Sequence, residues 1–181
     1  MRRPLARPAQ RVLALLTVGA LAVALSLGMR LDRSARAPAP LMVHMFPQLE
    51  LQDARSARSL PTREPTGGHS IVIYVSDRCP HCASELARWD SLLSSDHGRF
   101  RDVRVDVIRA PGGDRINHGA AFARRELVDA RGDVARALRI DAVPASFVLA
   151  GDGTIVERRV GEAGPRTIQK FLATAIQGGS R

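Results

Sequence analysis

Residues 70–82 read Ser-Ile-Val-Ile-Tyr-Val-Ser-Asp-Arg-Cys-Pro-His-Cys. Ile71 to Val75 form a short, uninterrupted apolar run rich in β-branched residues, with Gly67-Gly68 before it and Ser76-Asp77 after it, which predicts a buried strand. The next stretch, Pro80 to Ser95, carries Leu86, Trp89, Leu92 and Leu93 at helical spacing. Cys79-Pro80-His81-Cys82 therefore falls where a strand gives way to a helix. At such a junction Cys79 takes the N-cap, and Pro80 suits the first helical position, where a missing N–H costs nothing. Cys82 lies one turn on and on the same face, so the two sulfurs can reach disulfide distance. The unpaired N–H groups of the helix start stabilise a thiolate at Cys79. Arg78 and His81 add positive charge near it, and whatever stabilises the reduced thiolate over the disulfide makes such a pair a stronger oxidant. Cys82, deeper in the helix, is the expected resolving thiol.

Downstream, Val103, Val105 and Val107 alternate with polar residues and give a second strand. A Pro111-Gly112-Gly113 turn precedes a helix expected around Ala120–Asp129, and Val134–Leu138 gives another short helix. Ser146–Ala150 and Thr154–Val160 are strands joined by Gly151-Asp152-Gly153, a hairpin signal. A last helix begins near Pro165 and is expected to bury Ile168, Phe171, Leu172 and Ile176. The order β-α-β-α-β-β-α predicts an α/β domain, a mixed central sheet covered by helices, over residues 70–181.

Upstream, Val12 to Met29 is an uncharged stretch rich in Leu, Ala and Val, at the lower edge of the roughly 17–25 residues that span a bilayer. Arg2, Arg3, Arg7 and Arg11 precede it without an acid, the pattern of a cytoplasmic segment that directs the downstream chain across the membrane. The expected layout is a cytoplasmic n-region at 1–11, a signal-anchor transmembrane helix at 12–31, a linker at 32–69 in which the more apolar Leu41 to Leu51 could add a short edge element, and the folded domain outside. Cleavage after Ala37 or Ala39 would release a secreted form instead, although Pro38 and Pro40 make poor neighbours for a signal peptidase. Arg30, Arg33 and Arg36 weaken the charge asymmetry.

The formal net charge of +9 invites a nucleic-acid reading until it is apportioned. Residues 1–69 hold ten Arg against four acids, whereas 70–181 hold sixteen Arg and Lys170 against fourteen, so most of the excess lies outside the predicted domain. With aromatics at 4%, stacking groups are scarce, and nucleic acid is not an expected partner. The Arg124-Arg125 and Arg158-Arg159 pairs read as exposed faces, His44 and His97 as solvated, and Trp89 as core. Cys79 and Cys82 are the whole cysteine complement. A zinc site would need two further ligands from His69, His97 or His118, which show no paired spacing. Covalent haem needs His where Ala83 stands, and a purely structural disulfide closing four residues would restrain little chain.

Strand, CxxC and helix, followed by Ile140-Asp141-Ala142-Val143-Pro144-Ala145-Ser146-Phe147, a hairpin, Gly161 and a last helix, resemble the thioredoxin superfamily over residues 70–181. The resemblance implies a cis Val143–Pro144 bond facing the cysteines, with the backbone of Val143 pairing with the substrate chain. The Pro-His centre and Val143 are similar to DsbA-type oxidases. The span to Pro144 is too short for their helical insertion, and an insert near 110–132 together with Gly151-Asp152-Gly153-Thr154-Ile155 resembles membrane-anchored TlpA-like reductases. Ile73 stands where thioredoxin carries a buried acid, leaving Asp106 as a remote candidate for proton handling. The implied function is an extracytoplasmic thiol-disulfide oxidoreductase in the inner membrane, its catalytic domain in the periplasm. Cys79, Cys82 and His81 would be catalytic, Val143 and Pro144 would bind substrate, and Arg78 and Pro80 would tune the thiolate. It needs neither metal nor bound cofactor; its partners are protein thiols or disulfides and a membrane or soluble redox protein. The alternatives are a reductase for cytochrome c maturation or similar assembly, and a non-catalytic assembly factor of an envelope or conjugation system.

Overall fold

The computed structural model describes residues 44–64, 67–95, 97–100, 102–112 and 120–178. The n-region and the expected membrane span lie outside the described residues. Among those described, no helix is long and apolar enough to cross a membrane.

The strands are β1 (Glu50–Asp53), β2 (Ser59–Pro61), β3 (Ser70–Val75), β4 (Arg104–Arg109), β5 (Arg125–Val128), β6 (Ala145–Leu149) and β7 (Ile155–Val160), and the helices α1 (Pro80–Ser95), α2 (His97–Phe100), α3 (Asp133–Leu138) and α4 (Pro165–Gly178). They build one seven-stranded sheet in the order β2-β1-β5-β4-β3-β6-β7, with β2 and β7 at its edges. β3 runs parallel to β4 and antiparallel to β6, so the strand that leads into the cysteines is central. Its alternation assigns the two faces. Ile71, Ile73 and Val75 pack with Cys82, Leu86 and Trp89 of α1 and with Ile168, Phe171 and Leu172 of α4. Val72 and Tyr74 turn the other way, against Phe147, Leu127, Phe46 and the α3 residues Val134 and Leu138. Trp89 has no exposed surface, as its helical spacing predicts.

Five expectations are corrected. Within 32–69, residues 50–53 and 59–61 are not linker but strands: β1 pairs with β2 and, on its other side, with β5. Phe46 ahead of them is 1% exposed and meets Phe147 edge to face at 5.6 Å between ring centroids. The helix expected over Ala120–Asp129 is replaced by β5, which pairs parallel to β4. The Ala, Arg, Glu and Leu of residues 120–128 favour a helix locally, but the open edge of β4 and the pairing with β1 override that weak preference. Arg125 is consequently buried rather than exposed. Its guanidinium donates to Asp106 Oδ2 at 2.5 Å and to the carbonyls of Pro61 at 2.9 Å and Thr62 at 3.4 Å. That pair also removes Asp106 from proton handling at the cysteines. On α4, Ala175 is buried and Ile176 is 36% exposed, which keeps the inward stripe at 168, 171, 172 and 175.

Candidate active site

The local chain geometry at the cysteines follows from the strand-to-helix turn. Cys79 N–H donates to Ser76 O at 3.1 Å, and Cys79 O accepts from Cys82 N at 3.0 Å and Ala83 N at 3.4 Å, which makes Cys79 the residue that opens α1. Pro80 is the first residue of the helix and is exposed. Both cysteines are thiols here; Cys79 is partly buried and Cys82 is 1% exposed. The Ser76 N–H reaches Cys82 Sγ at 3.5 Å. Burial pushes the Cys82 thiol up to about 12, the Ser76 amide counters this, and the neighbouring Cys79 and the carboxylate of Glu85 add to the rise. The outer sulfur is thus the accessible one, and the inner one holds its proton.

The Val143–Pro144 bond is cis. Val143 O lies 3.6 Å from Cys79 Sγ, so the loop before β6 faces the first cysteine, as the resemblance implied. Arg78 is exposed, and its guanidinium has no acid partner among the described residues; its amide donates to Ser76 Oγ at 3.4 Å. His81 Nδ1 lies 2.9 Å from Glu162 Oε2. Cys79, Pro80, His81, Cys82, Val143 and Pro144 therefore come together at one end of β3. His69, weighed as a zinc ligand, instead meets Thr174 O on α4 at 3.1 Å.

Besides Glu162, two charged groups near the cysteines are absent from the sequence reading. Glu85 is fully buried on the inner face of α1. Its Oε1 accepts from Ser146 Oγ at 3.1 Å and Trp89 Nε1 at 3.3 Å, and its Oε2 accepts from Ala163 N at 2.6 Å. A buried acid thus approaches the cysteines from the helix, although the strand position Ile73 is apolar. A Glu three residues past a CxxC reads as a solvated helix residue, yet its place between Cys82 and Trp89 on the apolar stripe carried the signal. The second group lies under the turn that leads to Cys79. There Arg109, at the end of β4, pairs with both Asp77 and Glu126, all three side chains at most 13% exposed.

No protein-family model matches the sequence, and no curated protein matches it significantly. Solved structures do. A thioredoxin-like protein from Porphyromonas gingivalis superposes with a TM-score of 0.59 at 21% identity, over 75% of this chain and 94% of its own. A secreted Mycobacterium tuberculosis disulfide oxidoreductase, homologous to E. coli DsbE, gives 0.53 at 16% identity over 70% and 95%. The exposed lipoprotein thioredoxin Etrx1 of Streptococcus pneumoniae gives 0.54 at 18% identity over 70% and 98%. At these identities the likeness establishes a thioredoxin-like fold, a mixed sheet flanked by helices, with a Cys-x-x-Cys pair at the start of its first long helix.

Proposed function

We propose that this protein is an extracytoplasmic thiol-disulfide oxidoreductase that exchanges disulfides with protein substrates through Cys79 and Cys82. The observation that carries the proposal is the asymmetry of the pair. Cys79 is accessible at a helix start and faced by the Val143 carbonyl, whereas Cys82 is buried with its thiol held protonated. In the oxidising direction a substrate thiolate attacks Cys79 Sγ of the disulfide and Cys82 leaves, taking up a proton. A second substrate thiolate then attacks its own sulfur in the mixed disulfide and expels Cys79. Two electrons and two protons pass from the substrate dithiol to the enzyme; the reverse sequence reduces a substrate disulfide. Val143 and Pro144 would line the substrate strand, and His81, with Arg78 and Pro80 beside it, would tune the thiolate. That one similar structure is of a secreted disulfide oxidoreductase and another of an exposed lipoprotein supports placing the domain outside the cytoplasm. Residues 12–31 would tether it there, and a reporter fused after Arg181 should be active only on the periplasmic side.

The test is trapping. The disulfide form of the full chain is mixed with a reduced, unfolded protein and quenched by alkylation. Wild type should yield substrate disulfide, Cys82→Ser incubated with an oxidised substrate should accumulate a mixed disulfide at Cys79, and Cys79→Ser should do neither. Retained assembly function in a Cys79→Ser cell would favour the non-catalytic binding role instead. A reductase of cytochrome c maturation or similar assembly is the second reading. It is favoured by the two acids on one cation beneath the turn, Asp77 and Glu126 on Arg109, which disfavour negative charge nearby. A potential for the pair near −120 mV would mark a disulfide donor and one near −270 mV a reductase.

A further inference from the structure

Gly161, Glu162 and Ala163, between β7 and α4, reach Pro144, Glu85 and His81 around the cysteines. Gly161, at φ +88°, donates its N–H to Pro144 O at 2.8 Å. Ala163 N–H donates to the buried Glu85 at 2.6 Å. Between them, Arg159 Nη2 donates to Glu162 O at 2.8 Å, which fixes the backbone from β7. The Glu162 side chain then bridges two residues of α1: Oε2 accepts from His81 Nδ1 at 2.9 Å, and Oε1 pairs with Arg88. Arg88 also donates to Ala163 O at 3.3 Å, closing the arrangement. Arg88 first and His81 second hold the Glu162 carboxyl below its ordinary range, so it is an ionised acceptor and Nδ1 is the nitrogen that carries the proton toward it. His81 is the residue through which a Pro-His centre adds positive charge near the outer thiolate. In this chain a carboxylate on a backbone tied at both ends stands against that imidazole.

We propose that Glu162 is a positioning residue for the exchange reaction. By holding the His81 ring through Nδ1 it sets a negative charge beside the outer thiolate's neighbour, and it keeps the Cys79–Cys82 pair a weaker oxidant than its Pro-His centre would otherwise be. The proposal rests on the reading of Cys79 as the exchanging thiol. It accounts for a tetrad similar to that of oxidases standing in a layout similar to that of reductases: the sequence of the tetrad sets one tendency, and a residue about 80 positions from His81 moderates it.

The experiment compares wild type, Glu162→Gln, His81→Ala and the double variant as full-length chains. Each is equilibrated with glutathione, so that enzyme disulfide and two glutathione thiols interconvert with enzyme dithiol and glutathione disulfide, and is read by alkylation and mass. Glutamine removes the charge and can keep its one acceptor for Nδ1–H, with the carboxamide nitrogen then turned toward Arg88. Glu162→Gln should raise the equilibrium constant toward the dithiol by about 2- to 5-fold, the range expected of a partly exposed ion pair. In the His81→Ala background the same substitution should move it less than half as far. No shift, a shift toward the disulfide, or an equal shift with and without His81 would each overturn the proposal. Failure of the underlying reading shows separately. Wild-type disulfide that equilibrates with glutathione but oxidises no protein dithiol, and whose dithiol reduces no protein disulfide, would remove the enzymatic role, while the comparison of variants still decides what Glu162 does to the pair.

Discussion

Glu85 accepts three hydrogen bonds inside the core and raises the cost of negative charge on Cys82, so one substitution there acts on two separable quantities. In Glu85→Gln the carboxamide nitrogen must face a donor at one of the two oxygen positions. Losing that match should cost about 1–3 kcal/mol, measured as a lower urea midpoint at unchanged slope. The same change removes one of the influences that raise Cys82, so the inner thiol should titrate below the wild-type value of about 12. An unchanged Cys82 titration alongside the stability loss would mean that Glu85 is only a packing residue. The sequence brings out the two cysteines because their chemistry depends on four adjacent residues and one junction. It conceals Glu85, Glu162 and the Arg109 pairs because each becomes meaningful only when residues dozens of positions apart are brought within hydrogen-bond distance.

At the scale of elements, α3 depends on a residue outside it. Its N-cap, Gly132, sits at φ 69° and has no side chain to offer; Asp129 supplies the acceptors instead, at 2.7 Å from Asp133 N, 3.1 Å from Val134 N and 3.3 Å from Ala135 N, and it also takes the Tyr74 hydroxyl at 3.1 Å. Asp129→Ala leaves these donors unpaired at a fully buried position and should destabilise the domain by about 2–4 kcal/mol in urea titration, the sum of a lost cap and an orphaned hydroxyl. A second prediction concerns β1 and β2. A chain beginning at residue 66 lacks both strands, the Phe46 contact and two carbonyl acceptors of buried Arg125. It should be cleaved by protease under conditions where a chain beginning at residue 43 survives. These elements show where local pattern stops being informative. The β3–α1 unit and the β6–β7 hairpin announce themselves through apolar runs and turn residues. β1 and β2 are four and three residues long with one or two apolar positions each, and β5 is built from helix-favouring residues; all three owe their conformation to a neighbouring strand edge.

For the whole molecule, the redox state and pH act on stability together. Cys82 is raised in the folded dithiol from the ordinary 9.0 to about 12, first through burial. A raised folded value means the contribution is fully present below 9.0 and is lost as pH climbs toward 12, because the unfolded chain releases that proton first. The disulfide form has no such proton. The stability of the dithiol relative to the disulfide should therefore fall between about pH 9 and pH 12, as read by paired urea titrations of the two forms; Tyr74, also raised by burial, is common to both and cancels. On the acid side the sign reverses. Asp53, lowered chiefly by the Ser56 hydroxyl, and Glu162, lowered chiefly by Arg88, contribute stability above their ordinary values of 3.8 and 4.5 that is lost as pH falls through the lowered ones. The edge position of β7 carries a last consequence, for solubility. Two copies joining along this edge by an antiparallel two-fold must match residues of the same sheet face. Centring that match on Glu157 sets Glu157 against its own copy, and centring it on Arg158 sets Arg158 against its own, with the exposed Val156 and Val160 brought together only in the second case. Like charges directly opposite are unfavourable, so Glu157 and Arg158 at the middle of the strand act as gatekeepers against edge-to-edge pairing, and neutralising either would open a route to a two-fold dimer through β7.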